Sequence, residues 1–298
     1  MKTKKEIIVM KFGGTSVGDT EKIKRVADRV VKAKEAGNDV VVVVSAMGKT
    51  TDELIDIASK ISKEPSRREM DMLLSTGEQV SIALLSMAIQ AKGYDCISLT
   101  GSQAGIVTDE IFSNAKILNI NNTRMMKELR DGNIVIVAGF QGVTTSGDIS
   151  TLGRGGSDTT AVAVAAALDA KYCEIFTDVD GVFTTDPNIV NEAGKINQLS
   201  YEEMLELASS GAKVLHLRAV EFAKKHGVVL HVRSSFNDNE GTWIMDEAKI
   251  TEKMERPLIT GVTYDTNEVK ITVFGLRDVP GIASKLFGAL AAENINVD

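Results

Sequence analysis

A lysine followed by two glycines stands directly after a short apolar strand near the start of the chain. The apolar run Ile7–Met10 is long enough for one buried strand, and Lys11-Phe12-Gly13-Gly14 follows it at once. In an open parallel sheet, ligands bind beyond the carboxyl ends of the strands. Paired glycines there let a polyanion approach the main-chain N–H groups, and a lysine adds a point charge. This segment alone also fits an ordinary turn with a solvated lysine.

Apolar runs alternate with helical patterns through the first half of the chain. Asp19 is expected to cap a helix that runs to about Glu35, and the five valines Val40–Val44 have the pattern of a strand buried on both faces. Further short apolar strands are expected at 96–99 and 134–138. This alternation predicts an α/β fold, with a mostly parallel sheet sandwiched by helices.

Two pairs of residues have the spacing of a capping box, in which a hydroxyl side chain and a glutamate three residues later satisfy the first N–H groups of a helix. These pairs are Thr50 with Glu53 and Ser200 with Glu203. Each predicts a helix start. Two more helices are expected between residues 66 and 92, separated around residues 75–78.

Composition and charge exclude several classes of protein. The 298-residue chain has a net charge of −7, which disfavours nucleic acid or an anionic membrane as a partner. The two cysteines, Cys96 and Cys173, lie far apart without metal-type spacing. The apolar run after the basic N-terminus is too short for a signal peptide, and the run 161–168 is too short for a membrane span. We therefore expect a cytoplasmic protein without a disulfide framework or zinc site.

A second glycine-rich segment lies in the middle of the chain. It reads Gly153-Arg154-Gly155-Gly156-Ser157-Asp158 and leads into an alanine-rich helix expected over 159–168. Ser157 or Asp158 is expected to cap that helix, and Arg154 offers a planar fork for a carboxylate or phosphate. A purely structural turn ending in a cap also fits this segment. No P-loop, dinucleotide-binding glycine motif or protein-kinase motif set occurs in the chain.

Three motifs together resemble those of the aspartokinases, members of the amino-acid kinase superfamily. They are Lys11 to Ser16, Gly153 to Asp158 and Thr177 to Val182, and they occur in the family's order. The resemblance runs from Ile7 to about Ser235. It implies the amino-acid kinase fold, with a catalytic domain over 1–246.

The tail after residue 246 resembles the start of an ACT module, a small α+β regulatory unit that binds amino acids. Its signals are the strand pattern 269–275, Asp278-Val279-Pro280-Gly281, a helix over 282–292 and the ending 295–298. We therefore expect a linker and an incomplete ACT domain over 247–298. On this interpretation, the chain would keep a foldable kinase core but lack normal control by lysine or threonine.

The resemblance implies ATP-dependent phosphorylation of the side-chain carboxylate of L-aspartate to 4-phospho-L-aspartate, the first step towards lysine, threonine and methionine. It implies ATP and Mg²⁺ as cofactors, and lysine or threonine as effectors of the full-length protein. It also implies a homo-oligomer such as a dimer, or assembly with a regulatory subunit. The scarcity of histidine fits, because a carboxylate with a pKa of about 3.9 is already ionised and needs no general base.

The same resemblance assigns roles to single residues. Lys11 corresponds to the catalytic lysine and Asp158 to the catalytic aspartate that organises the lysines around it. The remaining positions fall on substrate or on nucleotide. The substrate positions are Ser45, Thr51, Glu78, Arg154 and Ser157, with Arg154 on the α-carboxylate and Glu78 near the ammonium. The nucleotide positions are Phe12, Gly13, Gly14, Thr177, Asp178, Phe183, Lys213 and Val214.

The sequence departs from its relatives at two nucleotide positions, and several assigned residues have simpler explanations. Phe183 stands where tyrosine is frequent, and Asn188 where a basic residue often follows Asp-Pro. Glu78 is favourable in a first helical turn regardless of ligand. Ser45 and Thr51 also suit helix caps, and Lys213 suits a solvated helix start.

Rival functions come from two directions. Glutamate 5-kinase, acetylglutamate kinase and uridylate kinase would share the fold and Lys11, but not the Lys-Phe-Gly-Gly-Thr-Ser motif together with a regulatory tail. A non-catalytic protein that senses amino acids is the alternative from another class. The presence of Lys11, Arg154 and Asp158 argues against it.

Overall fold

The computed structural model describes residues 5–212, 214–250, 259–264, 275 and 280–292. The chain divides into two compact units, Met1–Tyr264 and Asp265–Asp298. The first unit holds every described strand and all but one of the described helices. The predicted boundary at residue 246 stays a prediction.

The described strands of the first unit are mostly short. They are β1 (Ile7–Phe12), β2 (Asp39–Val44), β3 (Cys96–Leu99), β4 (Ile106–Thr108), β5 (Ile117–Ile120), β6 (Ile134–Ala138), β7 (Gln141–Thr144), β8 (Ile149–Thr151), β9 (Tyr172–Thr177), β10 (Val182–Phe183), β11 (Lys195–Ile196), β12 (Gln198–Ser200), β13 (Leu230–Ser234) and β14 (Thr242–Met245).

The helices of the same unit lie between these strands. They are α1 (Thr20–Glu35), α2 (Thr50–Ile61), α3 (Arg67–Leu74), α4 (Thr76–Gln90), α5 (Thr123–Arg130), α6 (Gly156–Ala167), α7 (Tyr201–Ser209) and α8 (Leu217–His226), with short 3₁₀ turns at Gly14–Val17 and Glu247–Lys249. The second unit contains α9 (Ile282–Ala292).

An eight-stranded sheet organises the first unit, in the order β12-β14-β13-β9-β1-β2-β6-β3. Every neighbouring pair in it is parallel except β13 with β14. This confirms the predicted mostly parallel α/β sheet. The strand that carries Lys11, β1, lies between β2 and β9 in the interior of the sheet. A separate four-stranded sheet has the order β5-β4-β7-β8.

Apolar side chains cover both faces of the large sheet. Alternate residues of β1 point to opposite faces, so Val9 belongs to one core cluster and Ile8 to the other. The cluster around Val9 includes residues of α5, α6, α7 and α8, and the cluster around Ile8 includes residues of α1 and α4. The first unit is therefore a three-layer sandwich of helices, sheet and helices.

Several sequence predictions are confirmed. Val40–Val44 are completely buried within β2, as expected for a strand covered on both faces. The Asp19 side chain accepts a hydrogen bond from the N–H of Lys22 at the start of α1. Ser200 and Glu203 form the predicted reciprocal capping box at the start of α7.

Two predicted helix caps are wrong, although α2 begins at Thr50 as expected. At α2 the cap position is Lys49 and no side chain caps the helix, so Thr50 and Glu53 form no capping box. At α6 the cap is Gly155, and the helix already begins at Gly156. Gly155 has a left-handed φ of 69°, a conformation that glycine adopts without steric cost, and no side chain caps the helix. Ser157 and Asp158 are thereby left in the first turn of the helix.

The helix predicted over 282–292 in the tail agrees with α9. The predicted strand over 269–275 lies outside the described residues except for Gly275. The ending 295–298 and most of the charged segment 247–256 also lie outside them. The interpretation of this tail as an ACT module therefore stays a prediction.

One helical stretch is long and apolar enough to cross a membrane by length and composition alone. It covers Arg67–Gln90, which is α3 and α4 with one residue between them, and half of its most apolar window is buried. Ile82, Leu85 and Ile89 of α4 pack in the core cluster on one face of the large sheet. Packing against the sheet thus accounts for this apolar composition.

Only one of the two predicted capping boxes forms, and this difference gives a stability prediction. Ser200→Ala removes an observed cap and should lower the free energy of unfolding by about 1 kcal/mol. Thr50→Ala removes a hydroxyl that caps nothing and should change it by less than about 0.5 kcal/mol. Urea unfolding followed by circular dichroism measures both values. Equal losses in the two variants would contradict the observed difference between these helix starts.

Candidate active site

A cavity of about 270 Å³ lies where the ends of β1, β2 and β6 meet the start of α6. All seven predicted catalytic and substrate residues line this cavity, and one predicted nucleotide residue lines it as well. The seven are Lys11, Ser45, Thr51, Glu78, Arg154, Ser157 and Asp158, and the eighth is Gly14. Residues from distant parts of the sequence converge there because carboxyl ends of parallel strands share one edge of a sheet.

An ion pair between Lys11 and Asp158 forms one wall of this cavity. Lys11 Nζ lies 2.6 Å from Asp158 Oδ1, and both side chains are largely buried, with 12% and 14% exposed. Asp158 is the third residue of α6, where the N-terminal end of the helix favours a carboxylate. An ammonium group has three donors. Lys11 can therefore hold Asp158 and still donate towards an anion in the cavity.

Glu78 lines the cavity from the first turn of α4 and is only 3% exposed. Its Oε1 accepts a hydrogen bond of 3.0 Å from the N–H of Ala46, but its Oε2 has no hydrogen-bond partner among the described residues. Burial raises the pKa of this carboxyl from 4.5 to about 7, and the Ala46 N–H opposes that rise. A cation beside Oε2 would favour the ionised form.

The other polar groups of the cavity wall are free to bind a ligand. Arg154 is exposed at the rim, and its guanidinium makes no hydrogen bond or ion pair with any described residue. The hydroxyl groups of Ser45, Thr51 and Ser157 likewise have no partner within the described part of the chain. One arginine and three hydroxyl residues without partners in the described part of the chain therefore line a space of small-molecule size.

Close packing of the backbone shapes the cavity and makes glycine necessary at two positions. A Cβ on Gly14 would lie 2.7 Å from the carbonyl oxygen of Ala46, so the loop after β1 could not approach the loop after β2. A Cβ on Gly155 would lie 2.2 Å from the ring of His216. These contacts explain why both motifs contain glycine beside a functional residue.

The predicted nucleotide residues are more dispersed. Thr177 ends β9, and Asp178 follows it beside the end of β1. The ring of Phe12 is fully buried and stacks on Phe176 with ring centres 4.6 Å apart, so Phe12 can offer a ligand only its main chain. Phe183 lies on the short strand β10, and Val214 packs against the core near α8.

Gly13 adjoins Lys11 and caps the 3₁₀ turn after β1. Lys213 lies outside the described residues. Apart from Gly14, none of the predicted nucleotide residues that the structure describes lines the cavity. The structure therefore brings the predicted catalytic and substrate residues together, whereas the described nucleotide residues other than Gly14 lie outside this cavity.

Sequence reasoning assigned no site role to several residues of the cavity wall, although three of them are glycines of the second motif. They are Ala46, Gly48, Phe140, Gly153, Gly155 and Gly156. Phe140 follows the end of β6 and has a φ of 67°, a conformation rare for a bulky residue. The rule that ligands bind at the ends of parallel strands would have pointed to Phe140, because β6 was predicted. Nothing in the sequence indicates that Glu78 would bond to the backbone of Ala46.

No group of three or more acidic, histidine or cysteine side chains suited to a metal ion occurs in the described ranges. Asp158 is paired with Lys11, and Asp178 accepts a hydrogen bond from Thr177. The donor set therefore provides no protein cage for a metal ion.

Comparison with known proteins agrees with this geometry. Residues 6–234 match the model of the amino acid kinase family. An aspartokinase from Bacillus sp. (strain MGA3) is 58% identical over 292 residues, which are 98% of this chain and 70% of that protein. The aspartate kinase of Synechocystis has a solved structure with a TM-score of 0.73 and 46% identity. That match covers 98% of this chain and 49% of the other.

Aspartokinase III of E. coli has been solved with aspartate and ADP. It shows a TM-score of 0.79 and 27% identity, covering 98% of this chain and 76% of that one. A second structure of the same protein holds lysine and aspartate, with a TM-score of 0.77. The family match covers more than half of the chain, and the 58% relative is covered over more than two thirds of its length. This chain therefore belongs to the amino acid kinase family, within the aspartokinases.

Proposed function

We propose that this cavity is the active site for ATP-dependent phosphorylation of the side-chain carboxylate of L-aspartate, which gives 4-phospho-L-aspartate. The observation that carries the proposal is the set of unpaired groups around the cavity. Within the part of the chain that the structure describes, Glu78 Oε2 is buried without a partner and the guanidinium of Arg154 has none. An amino acid with a second carboxylate satisfies both groups and leaves that carboxylate to react.

Recognition of aspartate follows from the charges in the cavity. The ammonium group pairs with Glu78, whose burial otherwise disfavours ionisation. The α-carboxylate accepts two parallel N–H bonds from Arg154, a geometry that lysine cannot reproduce. The hydroxyl groups of Ser45, Thr51 and Ser157 donate to the remaining carboxylate oxygens. These contacts hold the side-chain carboxylate towards Lys11.

Phosphoryl transfer then depends on position and charge. A carboxylate oxygen of aspartate forms a bond to the γ-phosphorus, and the bond to the bridging oxygen breaks, so that ADP leaves with the electron pair. No proton moves, because the acceptor is already ionised. Lys11 neutralises charge on the transferring group, and Asp158 keeps the ammonium of Lys11 in place.

The nucleotide is proposed to lie beyond the ends of β1 and β9. The main chain of residues 12–14 would cradle phosphate oxygens, as glycine-rich backbone does elsewhere. The residues proposed to contact the nucleotide outside this turn are Thr177, Asp178, Phe183, Lys213 and Val214. Mg²⁺ is proposed to enter with ATP, held mainly by phosphate oxygens and water, because the described residues provide no metal cage. Its chemistry is to neutralise phosphate charge.

The wider biology is proposed from the relatives. The E. coli aspartokinase III solved with lysine supports lysine as an effector of the full-length protein, and threonine is proposed from the family resemblance. A cytoplasmic location, a place at the start of lysine, threonine and methionine synthesis, and a homo-oligomer or an assembly with a regulatory subunit are proposed on the same ground.

A coupled assay of ADP release with L-aspartate tests the proposed function, and Lys11→Ala tests the mechanism. The wild-type chain should release ADP only when L-aspartate is present. The Lys11→Ala variant should lose kcat by about 10²–10³-fold while KM for aspartate changes far less, because the lysine acts mainly on the transferring group.

Lys24→Ala is the matched control, since Lys24 is an exposed lysine on α1 that pairs only with Glu21 among the described residues. It should leave kcat within about two-fold of wild type. A Lys11→Ala variant that keeps more than half of the wild-type kcat would remove Lys11 from the site. Absence of aspartate-dependent ADP release in the wild type would refute the function itself.

The raised pKa of Glu78 predicts an unusual pH dependence of stability. The pKa of Glu78 is about 7 in the native state, against an ordinary value of 4.5. The contribution of the protonated carboxyl to the free energy of unfolding is therefore complete below pH 4.5 and is lost as the pH rises through 7. Glu78→Gln stays neutral throughout. Its free energy of unfolding relative to wild type should therefore rise between pH 4.5 and 7, by something on the order of 2 kcal/mol.

Urea unfolding of both proteins at pH 5 and pH 8 without ligand measures this change. A constant difference between the two proteins across this range would show that Glu78 is solvated or paired in the native state.

A further inference from the structure

The chain that leads to Arg154 is anchored by a buried carboxylate outside the cavity. Asp71 lies on α3 and is completely buried. Its Oδ2 accepts from the N–H groups of Thr151 at 2.7 Å and Ser113 at 2.9 Å. Its Oδ1 accepts from the hydroxyl groups of Thr151 at 2.8 Å and Ser113 at 3.1 Å. Four donors thus satisfy both oxygens of one carboxylate.

A half-buried arginine holds the same two chain segments one or two residues further on. Arg218 lies on α8 and donates from Nη1 to the carbonyl oxygen of Leu152 and from Nη2 to that of Ala115, each at 2.8 Å. The N–H of Ala115 in turn donates to the carbonyl oxygen of Thr151 at 2.9 Å. The segments 113–115 and 151–152 are therefore bonded to each other and to side chains from two separate helices.

These anchors lie next to the loop that carries Arg154. Arg154 is only two residues beyond Leu152, and its own side chain has no partner in the described part of the chain. The intervening Gly153 has a φ of 75°, and a Cβ on it would lie 3.0 Å from the carbonyl oxygen of Ser113. The position of Arg154 therefore depends on where residues 151–153 sit against Ser113.

We propose that Asp71 and Arg218 are positioning residues that place Arg154 for the α-carboxylate of aspartate. The inference rests on the proposed function, because it takes Arg154 as the carboxylate ligand. The two anchors come from α3 and α8, while the cavity is lined by other elements, so neither touches the substrate. Loss of an anchor should weaken aspartate binding and leave ATP binding unchanged.

Arg218→Met, Arg218→Lys and Lys225→Met test the arginine anchor in the coupled assay. Arg218→Met should raise KM for aspartate by about 10- to 100-fold, the usual effect of a displacement near 1 Å at a binding group. Arg218→Lys keeps the charge but not the fork that spans two carbonyl oxygens, and should remain impaired. Lys225→Met removes an exposed cation from the same helix and should stay within about two-fold of wild type.

KM for ATP should stay within about two-fold of wild type in all three variants. A purely structural role for Arg218 would instead lower kcat through a smaller folded fraction and leave KM unchanged. That outcome would overturn the proposal. So would equal rises in KM for aspartate and for ATP, or an Arg218→Lys variant with the wild-type KM for aspartate. If the wild type shows no activity with aspartate, the proposed function fails, whereas an active wild type with unaffected variants refutes only this inference.

A second pair of variants tests the carboxylate anchor, including the case in which Arg218 variants do not fold. Thr151→Val removes the hydroxyl that donates to Asp71 Oδ1, whereas Thr151→Ser retains it. Thr151→Val should raise KM for aspartate by at least about three-fold without changing KM for ATP, and Thr151→Ser should restore the wild-type value. Identical KM values for aspartate in the two variants would overturn the role of Asp71.

Discussion

The positive charge of Lys11 inside an eight-stranded sheet is the constraint on which the site depends. Lys11 pairs in register with Val43 and Ile175, whose apolar side chains offer it no counterion. A buried cation needs a close anion, and Asp158 provides one at 2.6 Å. The first turn of α6 must therefore lie at the end of β1. Gly155 permits this, because its left-handed conformation turns the chain directly into the helix.

Much of this arrangement could be predicted from local patterns. The buried runs of β1 and β2, and the glycine motifs after β1 and β8, identify strand ends and close backbone approach without any knowledge of the fold. Parallel pairing then brings those ends together. The position of Lys11 at a strand end follows from the predicted sheet, whereas its grouping with Glu78 and Arg154, like their roles, came from the family resemblance.

Features set by contacts distant in sequence could not be predicted. The four-stranded sheet consists of strands of three or four residues, too short for a clear alternating pattern. Asp71 reaches Thr151, 80 residues away, and Arg218 reaches Leu152, 66 residues away. The caps predicted at Thr50 and at Ser157 or Asp158 were wrong because spacing alone does not show which residue takes the cap position. Thr50 is already the first residue of α2, and the left-handed Gly155 starts α6 before Ser157.

The central claim is that Arg154 binds the α-carboxylate of aspartate while Lys11 serves the phosphoryl group. Calorimetric titration of wild type and Arg154→Lys with L-aspartate, and separately with ATP, tests it most directly. Lysine preserves the charge but loses the bidentate fork. If Arg154 binds the α-carboxylate, Kd for aspartate should rise at least about 10-fold in Arg154→Lys, while Kd for ATP stays within about two-fold of wild type. An equal rise for both ligands would contradict it and assign Arg154 to the phosphates.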